Sequence, residues 1–327
     1  MASADIALFS LQSGRDFAAA VAAHLAVAVA EHEEREFEDG EHKIRPLESV
    51  RNRDVYVVQS LYGDEHHPLN DKLIRLLFLL ASLRENGARR VTAVVPYLCY
   101  SRKERKTKPR DPVSTRYLAQ LFEAMGPDCM VTLDVHNLAA FQNAYRCRCQ
   151  HLTASGLLLD HYLPYLEGKK LTVASPDVGG AKRADLFRQA LERRLGRAVA
   201  SAFMEKRRSE GEVSGTVVAG EVEGRTVLVV DDLVASGGTL KRAAEAFERQ
   251  GAQEVFAAAT HGLFSGNAEE NISAAAIKRL AVSNSIPPFR LPKTLLQDKV
   301  AVVDAAPLIG EAIGRLHRGG SLTELTP

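Results

Sequence analysis

Two carboxylates stand side by side at Asp231 and Asp232, directly after the apolar run 227–230. Leu233, Val234, Ala235, Ser236, Gly237, Gly238 and Thr239 follow, ending in small residues whose backbone can approach an anion closely. A strand that delivers paired acids, then a turn, then a helix opening at Thr239 would offer helix N-terminal N–H groups, which suit a phosphate. Adjacent carboxylates suit sugar hydroxyls or the shell of a magnesium ion. Upstream, Arg102, Lys103, Arg105, Lys106, Lys108 and Arg110 place six cations in nine positions. A polyphosphate needs such a clamp, and guanidinium groups grip it bidentately; the plain alternative is a solvated basic loop. His136 follows the apolar run 130–133 and Asp177 follows 171–174. An imidazole and a carboxylate at strand ends can hold a divalent ion that bridges phosphates, although His136 alone reads first as a structural histidine. Lys206, Arg207 and Arg208 precede a polar, glycine-containing stretch at 209–212. That is the composition of a lid bringing cations over a reacting phosphoryl group, or of an exposed charge run. Asp64, Glu65, His66 and His67 look metal-like, yet we expect them to be solvated surface.

These residues need strands and helices to hold them. Apolar runs at 55–59, 91–95, 130–133, 171–174, 226–230, 255–259 and 300–303 read as short buried parallel strands. Helical patterns lie between them at 69–86, 114–123, 182–192 and 240–250. The alternation predicts a doubly wound α/β architecture with mainly parallel sheets, whose ligands sit at the carboxyl ends of the strands. At 327 residues two domains are expected, with a boundary near 150–170 around Gly168, Lys169 and Lys170. We take them as 1–155 and 156–305, followed by a tail, 306–327, that packs across domains or subunits.

Composition narrows the partners. The chain is 46% apolar and 25% charged, which argues against disorder, and 42 basic against 41 acidic residues leave a net charge of +1. Such balance provides no whole-chain basic field for nucleic acid or anionic lipid, so neither nucleic acid nor membrane is expected as a partner. The richest apolar stretch, 73–83, already carries Arg75, and a spanning helix needs about 20 apolar residues. The Ala-rich run 17–30 contains His24 and reads as a buried helix. Four cysteines do not make a disulfide framework in so long a chain, and Cys147 and Cys149 lack zinc spacing. Reduced thiols and a cytosolic setting are expected. Neither a Walker A loop nor a Gly-x-Gly-x-x-Gly loop is present.

The segment 227–240 resembles the phosphoribosyl pyrophosphate (PRPP) binding loop of the type I phosphoribosyltransferase fold. Phe37-Glu38-Asp39-Gly40-Glu41 resembles the adenine-binding segment of the ribose-phosphate pyrophosphokinases, and residues 96–106 resemble their Pro-Tyr-x-x-Tyr-Ala-Arg-Gln-Asp-Arg-Lys block. Asp134-Val135-His136 is similar to their metal motif, Ser175-Pro176-Asp177-Val178-Gly179-Gly180 to a Ser-Pro-Asp-x-Gly-Gly turn, and Lys206-Arg207-Arg208 to their basic catalytic loop. Thr260–Ser265 and Ser283–Ser285 continue the likeness in the right order over nearly the whole chain.

The resemblance implies two type I phosphoribosyltransferase-like domains and an ATP-dependent diphosphokinase. It would move the β,γ-diphosphoryl group of ATP to the anomeric hydroxyl of ribose 5-phosphate, giving PRPP and AMP. The alternative it leaves open is a catalytically weak or silent regulatory subunit of the same lineage. Lys206 and Arg208 are implied as catalytic, and Phe37, Asp39, Glu41, Arg102, Lys103 and Glu104 as ATP-binding. Arg208, Asp231, Asp232, Ala235, Ser236, Gly237, Gly238 and Thr239 are implied for ribose 5-phosphate, and His136 and Asp177 for Mg2+. A homo-oligomer built from dimers, up to a hexamer, is also implied. The chain departs from the family pattern at Ala235-Ser236, where Asp-Thr is usual, at Lys103 in place of Gln, and at Val178 in place of a frequent His. Ser49-Val50-Arg51 and 317–321 resemble parts of a phosphate/ADP control site.

Overall fold

The computed structural model describes residues 5–209 and 212–325, leaving aside the side chains of 205–217. The described residues divide into two units, 5–153 with 305–325, and 154–304.

In chain order, the first unit carries strand β1 (Ile6–Phe9), helix α1 (Arg15–Leu25), β2 (His32–Glu36), β3 (His42–Pro46) and β4 (Asp54–Val58). It continues with α2 (Leu69–Glu85), β5 (Arg90–Val95), α3 (Ser114–Ala124), β6 (Cys129–Leu133), α4 (Leu138–Ala144) and β7 (Arg148–Leu152). Five strands form a parallel sheet in the order β1-β4-β5-β6-β7, while β2 and β3 pair as a separate antiparallel hairpin. β4 and β6 are buried along their whole length, as strands covered on both faces must be. Leu76, Leu79, Leu80 and Leu83 of α2 pack into the core with Val55, Val57, Val91 and Val95.

The run 17–30 is not one helix. α1 stops at Leu25 because Ala26 turns left-handed (φ 53°), with Val27 N–H donating back to the Ala22 carbonyl at 3.0 Å. The remaining apolar residues lie along β1, where Ala30 N–H donates to the Leu8 carbonyl at 2.7 Å.

The second unit runs α5 (Ser155–Leu166), β8 (Leu171–Ser175), α6 (Ala181–Leu195), β9 (Ala200–Ser209), β10 (Glu212–Gly220) and β11 (Thr226–Val234). Then come α7 (Gly238–Arg249), β12 (Glu254–Gly262), α8 (Ala268–Ser273), β13 (Arg279–Ser283), α9 (Lys293–Asp298) and β14 (Val300–Val303). Its seven-stranded sheet has the order β10-β9-β8-β11-β12-β13-β14, parallel except for the β9–β10 arm. Chain order reverses between β8 and β11, so the carboxyl ends of these two strands flank a topological switch point, the place where open α/β sheets bind ligands. The chain then returns to the first unit as α10 (Ala306–Arg318), which packs on α1. A Cβ on Gly310 would stand 2.7 Å from His24 Cδ2, so glycine permits the close approach of the two helices.

The expected α/β class with mainly parallel sheets is what the chain adopts. The strands not anticipated are β1, the hairpin β2–β3 (HEERE and HKIRP), β7 (RCQHL), the arm β9–β10, and β13, of which β2, β3, β7 and the end of β9 are rich in charged or polar residues. Among the described residues no helix is long and apolar enough to cross a membrane.

Candidate active site

The switch point of the second unit gathers the strongest constellation. β11 runs through to Val234, with Asp231 opposite Ala259 and Leu233 opposite His261 on β12. Asp231 and Asp232 are therefore held inside the strand's last stretch and not beyond its end at residue 230, which fixes their backbones by ladder hydrogen bonds. Arg183, in the first turn of α6, reaches both acids: Nη1 lies 3.2 Å from Asp231 Oδ1 and 3.0 Å from Asp232 Oδ1. Asp232 is buried, and its backbone N–H also donates to Asp231 Oδ1 at 2.9 Å. Burial and the neighbouring Asp232 push Asp231 up to about 8, with Arg183 opposing the shift. Arg183 was absent from the sequence reading. Its position four residues after Val178-Gly179, in the first turn of a helix opening at the partner strand, was the available signal.

Beyond β11, Gly237 takes φ +74° as the residue preceding α7, and a Cβ there would also come within 3.0 Å of Ile272 Cδ1. Glycine is required on both counts. The loop is braced from its neighbours: Asn271 Nδ2 donates to the Ser236 carbonyl at 2.8 Å, and Ser265 N–H to the Ala235 carbonyl at 2.9 Å. Ser236 is exposed, and Gly238 and Thr239 are half-buried at the start of α7. Braced backbone N–H groups at the N-terminus of a twelve-residue helix form an anion cradle.

Asp177 closes the turn after β8. Its Oδ1 accepts the Gly180 N–H at 3.0 Å, and Ser175 Oγ donates to the Asp177 carbonyl at 2.6 Å. A Cβ on Gly180 would lie 2.6 Å from Ser175 Oγ, which is why this turn into α6 carries glycine. Val178 is exposed beside it.

Lys206 and Arg208 are strand residues. Their backbones belong to β9, with Lys206 opposite Thr216 and Arg208 opposite Val213 on β10. The expected loop is thus a two-stranded arm at the sheet edge: antiparallel pairing supplies backbone partners that the polar composition hides. The side chains of Lys206 and Arg208 lie outside the described residues, as do Glu210 and Gly211.

In the first unit, Phe37, Asp39 and Glu41 form the tip of the β2–β3 hairpin. Phe37 N–H donates to the Glu41 carbonyl at 2.7 Å, Gly40 takes φ +87°, and Asp39 Oδ1 accepts the Glu41 N–H at 3.1 Å. The Phe37 ring is exposed, with the Arg35 guanidinium 5.1 Å from its centroid. The hairpin is anchored on α2: Arg75 bonds Glu36 at 2.7 Å and Asp71 at 2.8 Å, and His42 stacks on Phe78 at 5.4 Å.

The basic segment leaves the sheet after β5. Arg102, Arg105, Lys106, Lys108 and Arg110 are exposed, while Lys103 and Glu104 are half-buried. Tyr100 (φ 54°) and Arg110 (φ 68°) bracket it in the left-handed region. Asp111 folds the loop, accepting from Thr107 N–H at 3.0 Å, Thr107 Oγ1 at 2.7 Å and Lys108 N–H at 2.9 Å, and pairing with Lys103 Nζ. Lys103 and Thr107 hold the Asp111 carboxyl well below the usual range. Lys103 is thereby turned toward Asp111, and Glu104 lies 3.5 Å from Arg105 Nε.

His136 is exposed just after β6, following Asp134 (φ 37°) and preceding Asn137, whose Oδ1 caps α4 by accepting the Ala140 N–H at 3.0 Å. Among the described residues no three His, Cys, Asp or Glu side chains gather into a metal-binding group. The Asp177 carboxylate, in the second unit, is an oxygen donor of the kind magnesium takes, while His136, in the first unit, offers a nitrogen.

The segment 64–67 is surface only in part: Glu65 and His66 are exposed, as expected, whereas Asp64 and His67 are half-buried. Asp64 Oδ1 accepts the N–H groups of His66 at 2.9 Å and His67 at 2.8 Å, and its other oxygen pairs with fully buried Lys72, which lies 3.9 Å over the Tyr62 ring. Two backbone donors and a buried cation give the acid a structural task. All four cysteines are free.

Residues 6–126 match the N-terminal domain of ribose phosphate pyrophosphokinase, and residues 174–326 match the phosphoribosyl synthetase-associated domain. A ribose-phosphate pyrophosphokinase of Caldanaerobacter subterraneus subsp. tengcongensis is 35% identical over 319 residues, spanning 97% of this chain and 96% of that protein. Ribose-phosphate pyrophosphokinase 1 of Streptococcus pneumoniae is 33% identical over 329 residues, spanning 99% of this chain and 98% of that protein. The crystal structure of phosphoribosylpyrophosphate synthetase from Mycobacterium smegmatis superposes with a TM-score of 0.85 at 30% identity, covering 97% of this chain and all of that one. With both halves matched and full-length relatives above the 30% level, the chain belongs to the ribose-phosphate pyrophosphokinase family.

Proposed function

We propose that the chain transfers the β,γ-diphosphoryl group of ATP to the anomeric hydroxyl of ribose 5-phosphate, yielding PRPP and AMP. The observation that carries this is the second unit's switch point, where Asp231 and Asp232 lie beside the braced N–H cradle of 236–239. One end suits sugar hydroxyls and the other a phosphate, the two ends of a sugar phosphate.

The sugar's anomeric oxygen attacks the β-phosphorus in line and its proton passes to water, the bond from β-phosphorus to the bridging oxygen of the α-phosphate breaks, and AMP leaves with that oxygen. Asp231 and Asp232 accept from ribose hydroxyls, and residues 235–239 hold the 5-phosphate. Phe37 stacks on adenine while Asp39 and Glu41 fix the base, and Arg102, Lys103 and Glu104 line the nucleotide. Lys206 and Arg208 offset charge that grows on the transferring group, so they act mainly in the transition state. His136 and Asp177 would hold Mg2+, which supplies neutralisation of phosphate charge when bound. Assembly from dimers and a cytosolic setting complete this reading, the latter supported by four free cysteines.

Purified protein with ATP, magnesium and ribose 5-phosphate should form AMP and PRPP in equal amounts. Formation of neither, with ligand binding intact, would favour the regulatory subunit, which replacement of the usual loop carboxylate by Ala235 motivates.

A further inference from the structure

We propose that Arg242 is a phosphate-binding residue of the second unit's site, gripping the sugar phosphate together with the N–H groups of 236–239; this rests on the ribose 5-phosphate reading above. Arg242 lies on the second turn of α7, four residues after Gly238. Its side chain is folded back toward the helix N-terminus: Nη2 donates to Thr239 Oγ1 at 3.2 Å. Nη1 lies 3.4 Å from where a Cβ on Gly238 would stand. The guanidinium thus covers the outer face of the anion cradle.

That placement opposes simple electrostatics. A helix N-terminus carries partial positive charge, and cations are favoured at the other end. Among the described residues Arg242 has no carboxylate partner to draw it there, whereas adjacent Lys241 lies 4.0 Å from Glu270. An anion at the cradle resolves the conflict, because it meets the helix N–H groups and the guanidinium at once. A guanidinium has five N–H donors, so the bond to Thr239 leaves donors for phosphate oxygens. Residue 235 is alanine, so the loop contains no third acid to repel a phosphate or to capture the guanidinium.

Binding of ribose 5-phosphate, ribose, ATP and inorganic phosphate to the full-length wild type, R242A and R242K decides the matter by calorimetry. R242A should weaken ribose 5-phosphate and inorganic phosphate on the order of tenfold to a hundredfold, as loss of one charge-assisted contact does. R242K should recover part of the loss. Ribose and ATP affinities and the unfolding temperature should stay near wild type, since Arg242 is exposed. Equal ribose 5-phosphate affinity in wild type and R242A overturns the inference. If the wild type binds no ribose 5-phosphate at all, the functional reading fails instead. Inorganic phosphate then tests Arg242 alone, and equal binding by wild type and R242A overturns it.

Discussion

Asp231 and Asp232 crowd two acids against one guanidinium, and burial with the neighbouring acid raises the proton affinity of Asp231. Unfolded, Asp231 titrates near 3.8; folded, burial and Asp232 raise it to about 8. A raised carboxylate gives its full stabilising contribution below the unfolded value and loses it as pH rises through the folded one. Asp231→Asn removes that loss. Its unfolding temperature relative to wild type should therefore improve between about pH 5 and about pH 9, measured without ligands. An equal difference at both values would contradict the proton assignment. Lys206 is argued to act in the transition state, so Lys206→Ala should lower kcat on the order of a hundredfold or more while ATP affinity changes little. Weakened ATP binding with kcat intact would make Lys206 a binding residue.

At the scale of elements, the β2–β3 hairpin depends on α2. Arg75 ties Glu36 and Asp71 together, and the Phe37 tip follows directly from β2. Arg75→Ala should raise the KM for ATP several-fold and leave the KM for ribose 5-phosphate unchanged; a parallel rise in both would mean a general loss of fold. Gly237→Ala forces a Cβ into φ +74° and against Ile272. It should cost about 1–2 kcal/mol in stability by denaturant unfolding and weaken sugar-phosphate binding more than ATP binding.

The same elements show what could be read in advance. Strand, paired acids, small-residue turn and helix at 226–249 are contiguous, and each local preference agrees with the fold, so β11 and α7 were legible. β2 and β3 were not, because HEERE and HKIRP have no apolar alternation and become strands by packing Arg75 and Phe78 against them. β9 was hidden in the same way by its charged end, which gains partners only from β10. Asp64 was misread because its tie to buried Lys72 is a tertiary contact between a loop and a helix. Arg183 was missed because its partners lie 48 and 49 positions away in the chain.

Across the whole molecule, the chain's return to its first unit is secured by one buried acid. Asp54, fully buried, accepts from Arg90 Nε at 2.7 Å and lies 2.8 Å from His317 Nδ1, while Arg90 Nη2 reaches the Leu316 carbonyl at 3.2 Å. Arg90 and His317 hold the Asp54 carboxyl below its usual value, so its stabilisation is present above pH 3.8 and is lost as pH falls below it. Asp54→Ala leaves Arg90 without its buried partner and should cost about 3 kcal/mol. Heat unfolding at neutral pH checks this, and an unchanged transition would show that α10 is held by its packing on α1 alone.

Transfer of the diphosphoryl group as one piece is tested with labelled ATP. With ATP carrying radioactive phosphorus at the β position, magnesium and ribose 5-phosphate, all transferred label should appear in PRPP and none in AMP or ADP. Label recovered in ADP, with a single phosphoryl group on the sugar, would overturn transfer in one piece.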